Sequence, residues 1–506
     1  MPVHDAGTNP AARYSRAVSD DSSGILITGP GRSGKPAAPR SRPRQNGMTR
    51  RKLLVGGTAA LAAAGGAAFF MRKKIKSKIA RLTELDSFAA TPPLVPHDPT
   101  KDKTTLYVAQ GDTPGGNIDT VLDKLGGIAK IIGPDDVVAI KVSAQWWNQG
   151  MTNVAAVKQT IDQILSIPGF KGDIIVFENT HFWFPDKALA DPSRGLTRAW
   201  THASDRNVDV PGWTRLGDLR DHFEKTAPVS FVGLVDAGSS ALAEDAWWDP
   251  DHRHGFYGGD SRGPISGSED RDGYFWDFTQ SFRLKRSWVD YAQTPLTWPR
   301  FTCPRTGLVI DLRDGVFRRD RGKLVATGRG LRFINMTTAN EHGSTGFTGA
   351  CKSPMGIVDM SAGAYGTHPL VADYQSVHYF GAFGRKRPSW RMAGPLAFFG
   401  ERIRKADLYL TVAEWMAVVP AQGYKESEDD IRHAKSTAVR THTVVAGTDP
   451  VAIDAWCVKN LLMPQKGANA GMYNLDDPDA KVTKFLRYFR QVAGWGTLDP
   501  SLVTVA

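Results

Sequence analysis

The run VVAIKV at residues 137–142 decides the fold, because a continuous apolar strand of this kind is typical of a parallel sheet buried on both faces. A second buried strand is predicted at residues 174–177. Between the two, Thr152 is expected to cap a helix whose buried stripe contains Val157 and Ile161. This order of strand, helix and strand predicts a right-handed parallel layer.

The same alternation of strands and helices is predicted on both sides of residues 137–177. A strand at 105–110 and a helix at 117–130 come before it, and strands at 331–336, 407–412 and 443–446 come after it. We therefore predict an α/β fold with a mainly parallel, Rossmann-like sheet, flanking helices and a large irregular insertion. The predicted segments are a first α/β part at 104–180, an insertion or cap at 181–330, a second α/β part at 331–465 and a C-terminal extension at 466–506.

The insertion is rich in Trp, Asp, Gly and Arg. Its stretch from Asp249 to His254 contains residue types that bind metals, but loops rich in Asp, Pro and Gly often collect such residues without binding one.

The positive charge of the chain is concentrated at its N-terminus. Residues 1–81 hold 16 Lys and Arg against 3 Asp and Glu, whereas the remaining residues hold 47 and 49. The predicted α/β parts are therefore nearly neutral, which argues against a nucleic-acid partner. Residues 1–47 are expected to form a disordered basic tail.

Residues 48–81 have the pattern of a targeting segment. Arg50-Arg51 precedes an Ala/Gly-rich apolar run at 53–71, which is typical of a twin-arginine export signal, and Met48 just before it is an alternative start. The run is also just long enough for an uncleaved membrane anchor. We expect an exported, periplasmic or extracytoplasmic protein that uses the twin-arginine export machinery, with a possible membrane tether, followed by a linker at 82–103.

The three cysteines are far apart and form no Cys-x-x-Cys pair. This spacing predicts buried thiols and no iron–sulfur cluster of the chain's own.

A glycine-rich stretch at 342–356 is the strongest functional signal in the sequence. His342 lies ten residues before Lys352, and His368 follows sixteen residues after it. Glycines such as Gly346 and Gly349 leave backbone N–H groups free to face a ligand. A histidine can bind a metal or carry a proton, and a partly buried lysine can hold an anion or act as a nucleophile. We predict a ligand site here.

Other candidate residues lie at predicted strand ends. Lys141, Ser143, Glu178 and Asn179 follow two buried strands, and parallel strands gather such ends at one edge of the sheet. Asp449 precedes Pro450 and is either a helix cap or, like Asp454, a ligand-orienting group at the pocket rim.

Four blocks in this order resemble the domain of unknown function 362 family. They are residues 137–143 with Thr152-Asn153, then 174–179, 342–356 and 445–454. The usual Lys-Pro-Asn of the family is Lys141-Val-Ser here, and its Leu-Lys-Asn is Cys351-Lys-Ser. The resemblance implies an α/β fold and leaves the reaction open.

The His–Lys–His spacing is also similar to that of the nickel-pincer lactate racemases. That likeness implies Lys352 as the tether of the cofactor, His368 as the metal ligand and His342 as the proton relay. The earlier histidine pair of those racemases has no match.

We expect a metal- or cofactor-assisted enzyme acting on a small anionic substrate, with an isomerase-like, racemase-like or redox-linked reaction. The predicted catalytic residues are His342, Lys352 and Lys141, with Gly346, Gly349 and Asp449 as further cofactor-binding residues and His342 as a second metal ligand. The general base would be His342 or Glu414. The alternative is a non-catalytic exported protein that binds a small ligand.

Overall fold

The computed structural model describes residues 102–146, 148–179, 189–191, 196–234, 272–287, 290–343, 345–360, 377–380, 390–418 and 438–506. All of these residues belong to one compact unit. The predicted tail at 1–47, the signal or anchor at 48–81 and the linker up to Lys101 lie outside the described residues, as do His368 and the stretch 249–254. Among the helices in the described ranges, none has the length and apolar character needed to cross a membrane.

Strands and helices alternate over residues 104–179, as the sequence predicts. The strands are β1 (Thr104–Gln110), β2 (Val137–Lys141), β3 (Asp173–Asn179), β4 (Leu189–Asp191), β5 (Leu196–Thr197), β6 (Val229–Leu234), β7 (Gly273–Ser287), β8 (Asp290–Thr302), β9 (Val309–Asp311), β10 (Gly315–Asp320), β11 (Lys323–Ala326), β12 (Leu331–Thr337), β13 (Asn340–His342), β14 (Gly346–Thr348), β15 (Leu408–Ala417), β16 (Ala438–Gly447) and β17 (Val503–Val505). The α-helices are α1 (Pro114–Leu125), α2 (Val154–Leu165), α3 (Arg198–Thr201), α4 (Gly217–Phe223), α5 (Ala393–Arg402), α6 (Pro450–Cys457) and α7 (Lys481–Ala493).

Eight strands form the main sheet in the order β17-β1-β16-β15-β12-β2-β3-β6. Five neighbouring strands, from β15 to β6, run parallel, and β16 is antiparallel to both of its neighbours. The prediction of a mainly parallel α/β sheet is confirmed.

The sheet is buried on both faces, as the apolar runs predict. In β2, Val138 and Ile140 pack into one apolar cluster with α1, α2 and α4. Val137 and Ala139 face the other cluster, which contains α5, α6 and α7. Successive side chains of a strand point to opposite faces, so one uninterrupted apolar run serves both layers.

The cap of α2 differs from the prediction. Asn153, and not Thr152, accepts the N–H of Ala156 at 3.2 Å. The hydroxyl of Thr152 instead accepts the N–H of Ser143 at 2.8 Å and donates to the carbonyl of Met336 at 3.1 Å. The prediction for Thr152 is wrong because its side chain joins the ends of two strands.

The described parts of the segment 181–330 contain more regular structure than the sequence predicts. Its strand β6 extends the main sheet beside β3, and its second half forms a five-stranded sheet in the order β11-β10-β9-β8-β7. Aromatic residues of that sheet pack on the main sheet, with the rings of Phe301 and Phe177 5.4 Å apart. One of the tryptophans of the predicted irregular insertion, Trp298, is buried in this interface.

Candidate functional site

Three parallel strands end side by side and place polar groups at one edge of the main sheet. Lys141, the last residue of β2, lies in register between Phe177 of β3 and Asn335 of β12. Its ammonium group is 3.0 Å from a carboxylate oxygen of Glu178, and the two side chains are only 2% and 3% exposed. A buried pair of this kind needs close geometry, because removing two charges from water costs several kcal/mol, on the order of the attraction it gains.

The glycine-rich turn closes directly on this ion pair. A methyl group built on Gly356 would lie 2.6 Å from both carboxylate oxygens of Glu178 and 2.7 Å from Cε of Lys141. Only glycine fits at this position without displacing the pair. A second contact fixes the turn, since the hydroxyl of Ser353 donates to Oδ1 of Asn335 at 2.6 Å.

Lys352 is half-buried, and its charge interacts with both members of the same pair. Burial and, to a smaller extent, the nearby charge of Lys141 lower the pKa of its amine from 10.5 to about 8, and the charge of Glu178 opposes this shift. Burial also raises the pKa of the Glu178 carboxyl from 4.5 to about 8, against the opposing effects of Lys141 and Lys352. Near neutral pH, a lysine that can lose its proton therefore lies beside a carboxyl group that can hold one.

His342 at the end of β13 belongs to the same electrostatic neighbourhood. Burial lowers its pKa well below 6.5, and the charges of Lys352, His378 and Lys481 add to this shift. The imidazole is therefore neutral at physiological pH. Its Nδ1 faces the N–H of Thr345 at 3.4 Å, an arrangement that favours the tautomer with the proton on Nε2. In that tautomer, Nε2 can donate a hydrogen bond to an anion.

Asp449 and Asp454, in the block 445–454, both accept hydrogen bonds from backbone N–H groups. Asp454 accepts the N–H groups of Ala350 at 2.7 Å and Cys351 at 2.9 Å, so it holds the turn that presents Lys352. Burial raises the pKa of Asp454 to about 7 in spite of these hydrogen bonds. A methyl group on Gly349 would lie 2.3 Å from the Asp454 carboxylate, which explains the second glycine.

Asp449 has the capping role that its place before Pro450 predicts. It accepts the N–H groups of Val451 at 2.9 Å and Ala452 at 3.0 Å, and its other oxygen accepts the N–H of Thr497 at 2.8 Å. These three bonds account for the residue structurally. Its predicted contact with a ligand stays a prediction.

Glu414, the other candidate for a general base, contacts an arginine and a histidine. One of its oxygens is 2.6 Å from Nε of Arg440 and 3.2 Å from Nδ1 of His442. Arg440 also reaches Asp209 at 2.9 Å. Glu414 therefore belongs to a network with Arg440 and Asp209 that is separate from the Lys141–Glu178 pair.

The structure thus brings Lys141 and Lys352 to one charge cluster, with His342 close enough to Lys352 for its pKa to respond. Gly346 adopts φ +84°, and a methyl group there would lie 3.0 Å from Val482 of α7. The described ranges contain no group of three or more His, Cys, Asp or Glu that could hold a metal ion. Sequence reasoning placed Glu178 at a strand end without giving it a role.

His378 and Lys481 are the neighbours that sequence reasoning missed. Lys481 follows the glycine-rich stretch by 125 residues and His378 follows it by 22, and neither belongs to a spacing that points to the stretch. All three cysteines are buried thiols, as predicted.

Comparison with known proteins adds one finding to this geometry. Residues 332–459 match the model of a family described as Domain of unknown function (DUF362). The predicted resemblance to DUF362 is confirmed over this segment, which includes His342, Lys352 and both aspartates of the last motif. Lys141 and Glu178 lie before the DUF362 segment, and the fold brings them to it. Searches of curated proteins and of solved structures gave no significant match.

Proposed function

We propose that this edge of the sheet binds a small anion and that the protein is an enzyme acting on it. The observation that carries the proposal is the buried Lys141–Glu178 pair, closed by Gly356 and flanked by Lys352. Two lysines and one carboxyl group leave an excess of positive charge where water is largely excluded. An anionic ligand would balance that charge, and a low local dielectric strengthens its attraction.

The same residues can move a proton. Lys352 holds the anionic group of the substrate, and the N–H of His342 donates to it. Glu178 in its ionised form takes a proton from another position of the bound substrate. The electron pair of the broken bond stays on the substrate, where the charge of Lys352 stabilises it. A carboxyl with a pKa of about 8 is a stronger base than an ordinary glutamate, which suits this step.

A metal or cofactor remains part of the proposal as an alternative, in which Lys352 holds the cofactor and not the anionic group of the substrate. For a cofactor of the nickel-pincer type, Lys352 fits the tether, because an amine with a pKa of about 8 is partly uncharged at neutral pH and can form a covalent bond. Such a cofactor would supply hydride chemistry. His368 would complete the metal site and lies outside the described residues, so the steps above use only Lys352, His342 and Glu178.

Anion binding is tested by titration calorimetry with acetate and with inorganic phosphate. Lys352→Ala should weaken binding at least about tenfold, the equivalent of one charged hydrogen bond. Lys158→Ala is the matched control, because Lys158 forms an exposed pair with Asp162 on α2. Equal affinities of the two variants would refute the site.

Catalysis is tested on protein purified from its own host. Native mass spectrometry should find a covalent mass on the Lys352 peptide or a stoichiometric metal, and Glu178→Gln should keep the bound ligand while losing turnover. A chain that carries neither a covalent group on Lys352 nor a metal, and still binds anions, would support the alternative, a non-catalytic binding protein.

We also propose that the protein is exported through Arg50-Arg51 and that residues 53–71 can tether it to the membrane. The support is the order of paired arginines, apolar run and basic cluster in the sequence.

A further inference from the structure

We propose that the site has a second, uncharged subsite, formed by Thr348 and Gln149, which accepts a hydrogen-bond donor of the ligand. The ligand would then be a small acid that also carries a hydroxyl group or a primary amide. This inference rests on the proposed anion site for the acidic end and adds the recognition of the other end.

The β13–β14 hairpin places Thr348 on the same side as His342. Asn340 pairs with Thr348, and His342 pairs with Gly346, in an antiparallel register. Residues two apart in a strand share a face, and directly opposed residues share it too. The side chains of Asn340, His342 and Thr348 therefore lie on one face of the hairpin.

The opposite face of the hairpin has a different role. Glu341 and Phe347 form the pair between the other two. Glu341 is bound by Lys466 and Tyr473, and Phe347 is buried in the apolar core. The face of Asn340 is thus the one left for a ligand.

Gln149 joins that face from the loop after β2. The side-chain nitrogen of Asn340 donates to the carbonyl of Gln149 at 3.3 Å and to the hydroxyl of Thr338 at 3.4 Å. The side-chain oxygen of Asn340 accepts the N–H of Ala417 at 2.7 Å. Asn340 therefore fixes the positions of its neighbours but has no donor left for them.

Two buried oxygens beside Asn340 lack a hydrogen-bond partner among the described residues. They are the side-chain oxygen of Gln149, a residue 1% exposed, and the hydroxyl of Thr348. A buried acceptor without a partner is costly, and it is retained where a ligand or a water supplies the missing donor. Gln149 can only accept through this oxygen, so the group that satisfies it must donate.

The position of these oxygens links them to the charged end of the site. His342 shares the hairpin face of Thr348, and the charge of Lys352 reaches His342. A ligand with its acidic group at Lys352 would extend along this face toward Thr348. Its far end meets neutral acceptors, which favour a hydroxyl or amide group over a second acidic group.

Three small carboxylates that differ in one added group separate these possibilities by titration calorimetry. Acetate carries the acidic group alone, glycolate adds a hydroxyl, and malonamate adds a primary amide. We expect glycolate or malonamate to bind about tenfold more tightly than acetate, the gain expected from one well-placed hydrogen bond. The probe that gains identifies which donor the subsite takes.

Variants then assign the gain to the subsite. Thr348→Val keeps the shape of the side chain without its hydroxyl and should reduce the preference over acetate to about onefold, whereas Thr348→Ser should keep the preference. Gln149→Met removes the acceptor and is a second, independent variant if Thr348→Val does not fold. Acetate affinity should be the same in all three variants.

The outcomes distinguish the two proposals. If acetate binds through Lys352 but neither added group improves affinity, the subsite is refuted and the anion site stands. If crystals grown with glycolate show only a water between the two oxygens, the subsite is likewise refuted. If acetate does not bind at all, the anion site fails and the subsite fails with it.

Discussion

At the scale of single residues, burial controls the chemistry of the site. It lowers the pKa of Lys352 and raises that of Glu178, so groups of opposite charge type both titrate near pH 8. In each case loss of hydration is the largest cause, and the neighbouring charges modify it. The two groups would be far apart in proton affinity in water, and the fold makes them comparable.

The shifted pKa of Glu178 predicts a pH dependence of stability. The unfolded carboxyl loses its proton near pH 4.5, whereas the folded one keeps it to about pH 8. Between these values the folded chain binds more protons, so the contribution of Glu178 to stability falls as pH rises. In Glu178→Gln this loss is absent, and the stability of the variant relative to the natural chain should increase steadily from pH 5 to pH 8.

Urea unfolding at several pH values measures this difference. Glu224→Gln is the control, because Glu224 is exposed at the end of α4 and should give a nearly constant difference. Parallel stability curves for Glu178→Gln and the natural chain would contradict the buried position of Glu178.

Sequence reasoning reached part of the site because local spacing revealed it. His342 and Lys352 stand out beside glycines, and Lys141 stands out as a charge in an apolar run. The partner of Lys141 is 37 residues away on the next strand, and only the register of β2 and β3 brings Glu178 to it. Pairing across strands has no signature in a single sequence.

At the scale of elements, the glycine-rich turn is held from two directions. Gly356 lies against the ion pair, and Asp454 of α6 holds the backbone at Ala350 and Cys351. The turn presents Lys352 between these two fixed points. Its conformation therefore depends on contacts from other elements as much as on its own glycines.

Gly356→Ala should destabilise the protein because its new methyl group overlaps Glu178 and Lys141. Overpacking of this kind costs about 1–3 kcal/mol. Gly471→Ala is the matched control, since a methyl group there meets nothing within 4 Å. Denaturant unfolding of both variants gives the comparison, and equal stabilities would show that the turn can move away from the ion pair.

Asp454→Asn should loosen the turn selectively. The amide that replaces one carboxylate oxygen would face the N–H of Ala350 or Cys351, leaving a buried donor without an acceptor at a cost of about 1–3 kcal/mol. Hydrogen exchange at Ala350 and Cys351 should accelerate. Asp162→Asn, at an exposed pair on α2, should leave these amides unchanged. Unaltered exchange in Asp454→Asn would mean that Asp454 does not hold the turn.

Strands were predicted correctly where the sequence pattern had a single structural explanation. The apolar runs that became β2 and β3 indicated burial on both faces, and both strands are fully buried. Strands β7 and β8 were missed because their aromatic residues occur among charged and glycine residues that resemble a loop. Thr152 was misread because a threonine before a helix usually caps it, whereas here it joins β2 to β12.

At the scale of the whole molecule, distant parts of the chain complete the sheet and the site. Strand β17 near the C-terminus pairs with β1, and Thr497 binds the cap residue Asp449. The five-stranded sheet from the predicted insertion packs against the main sheet at Phe177, one residue before Glu178. Because these contacts join segments that lie far apart in the sequence, the α/β unit is expected to fold before it can bind a ligand.

A protein that folds in this way suits an export route for folded chains, which is the basis of the last prediction. Arg50→Lys with Arg51→Lys should leave thermal stability unchanged and keep the chain inside the cell, because the paired arginines are the feature that the twin-arginine machinery reads. Arg42→Lys with Arg44→Lys is the control, since it makes the same chemical change in the same basic segment and should not affect export. Fractionation followed by immunodetection measures the distribution of each variant. Export of the Arg50/Arg51 variant at the natural level would show that residues 48–81 act as a different signal or as a plain membrane anchor.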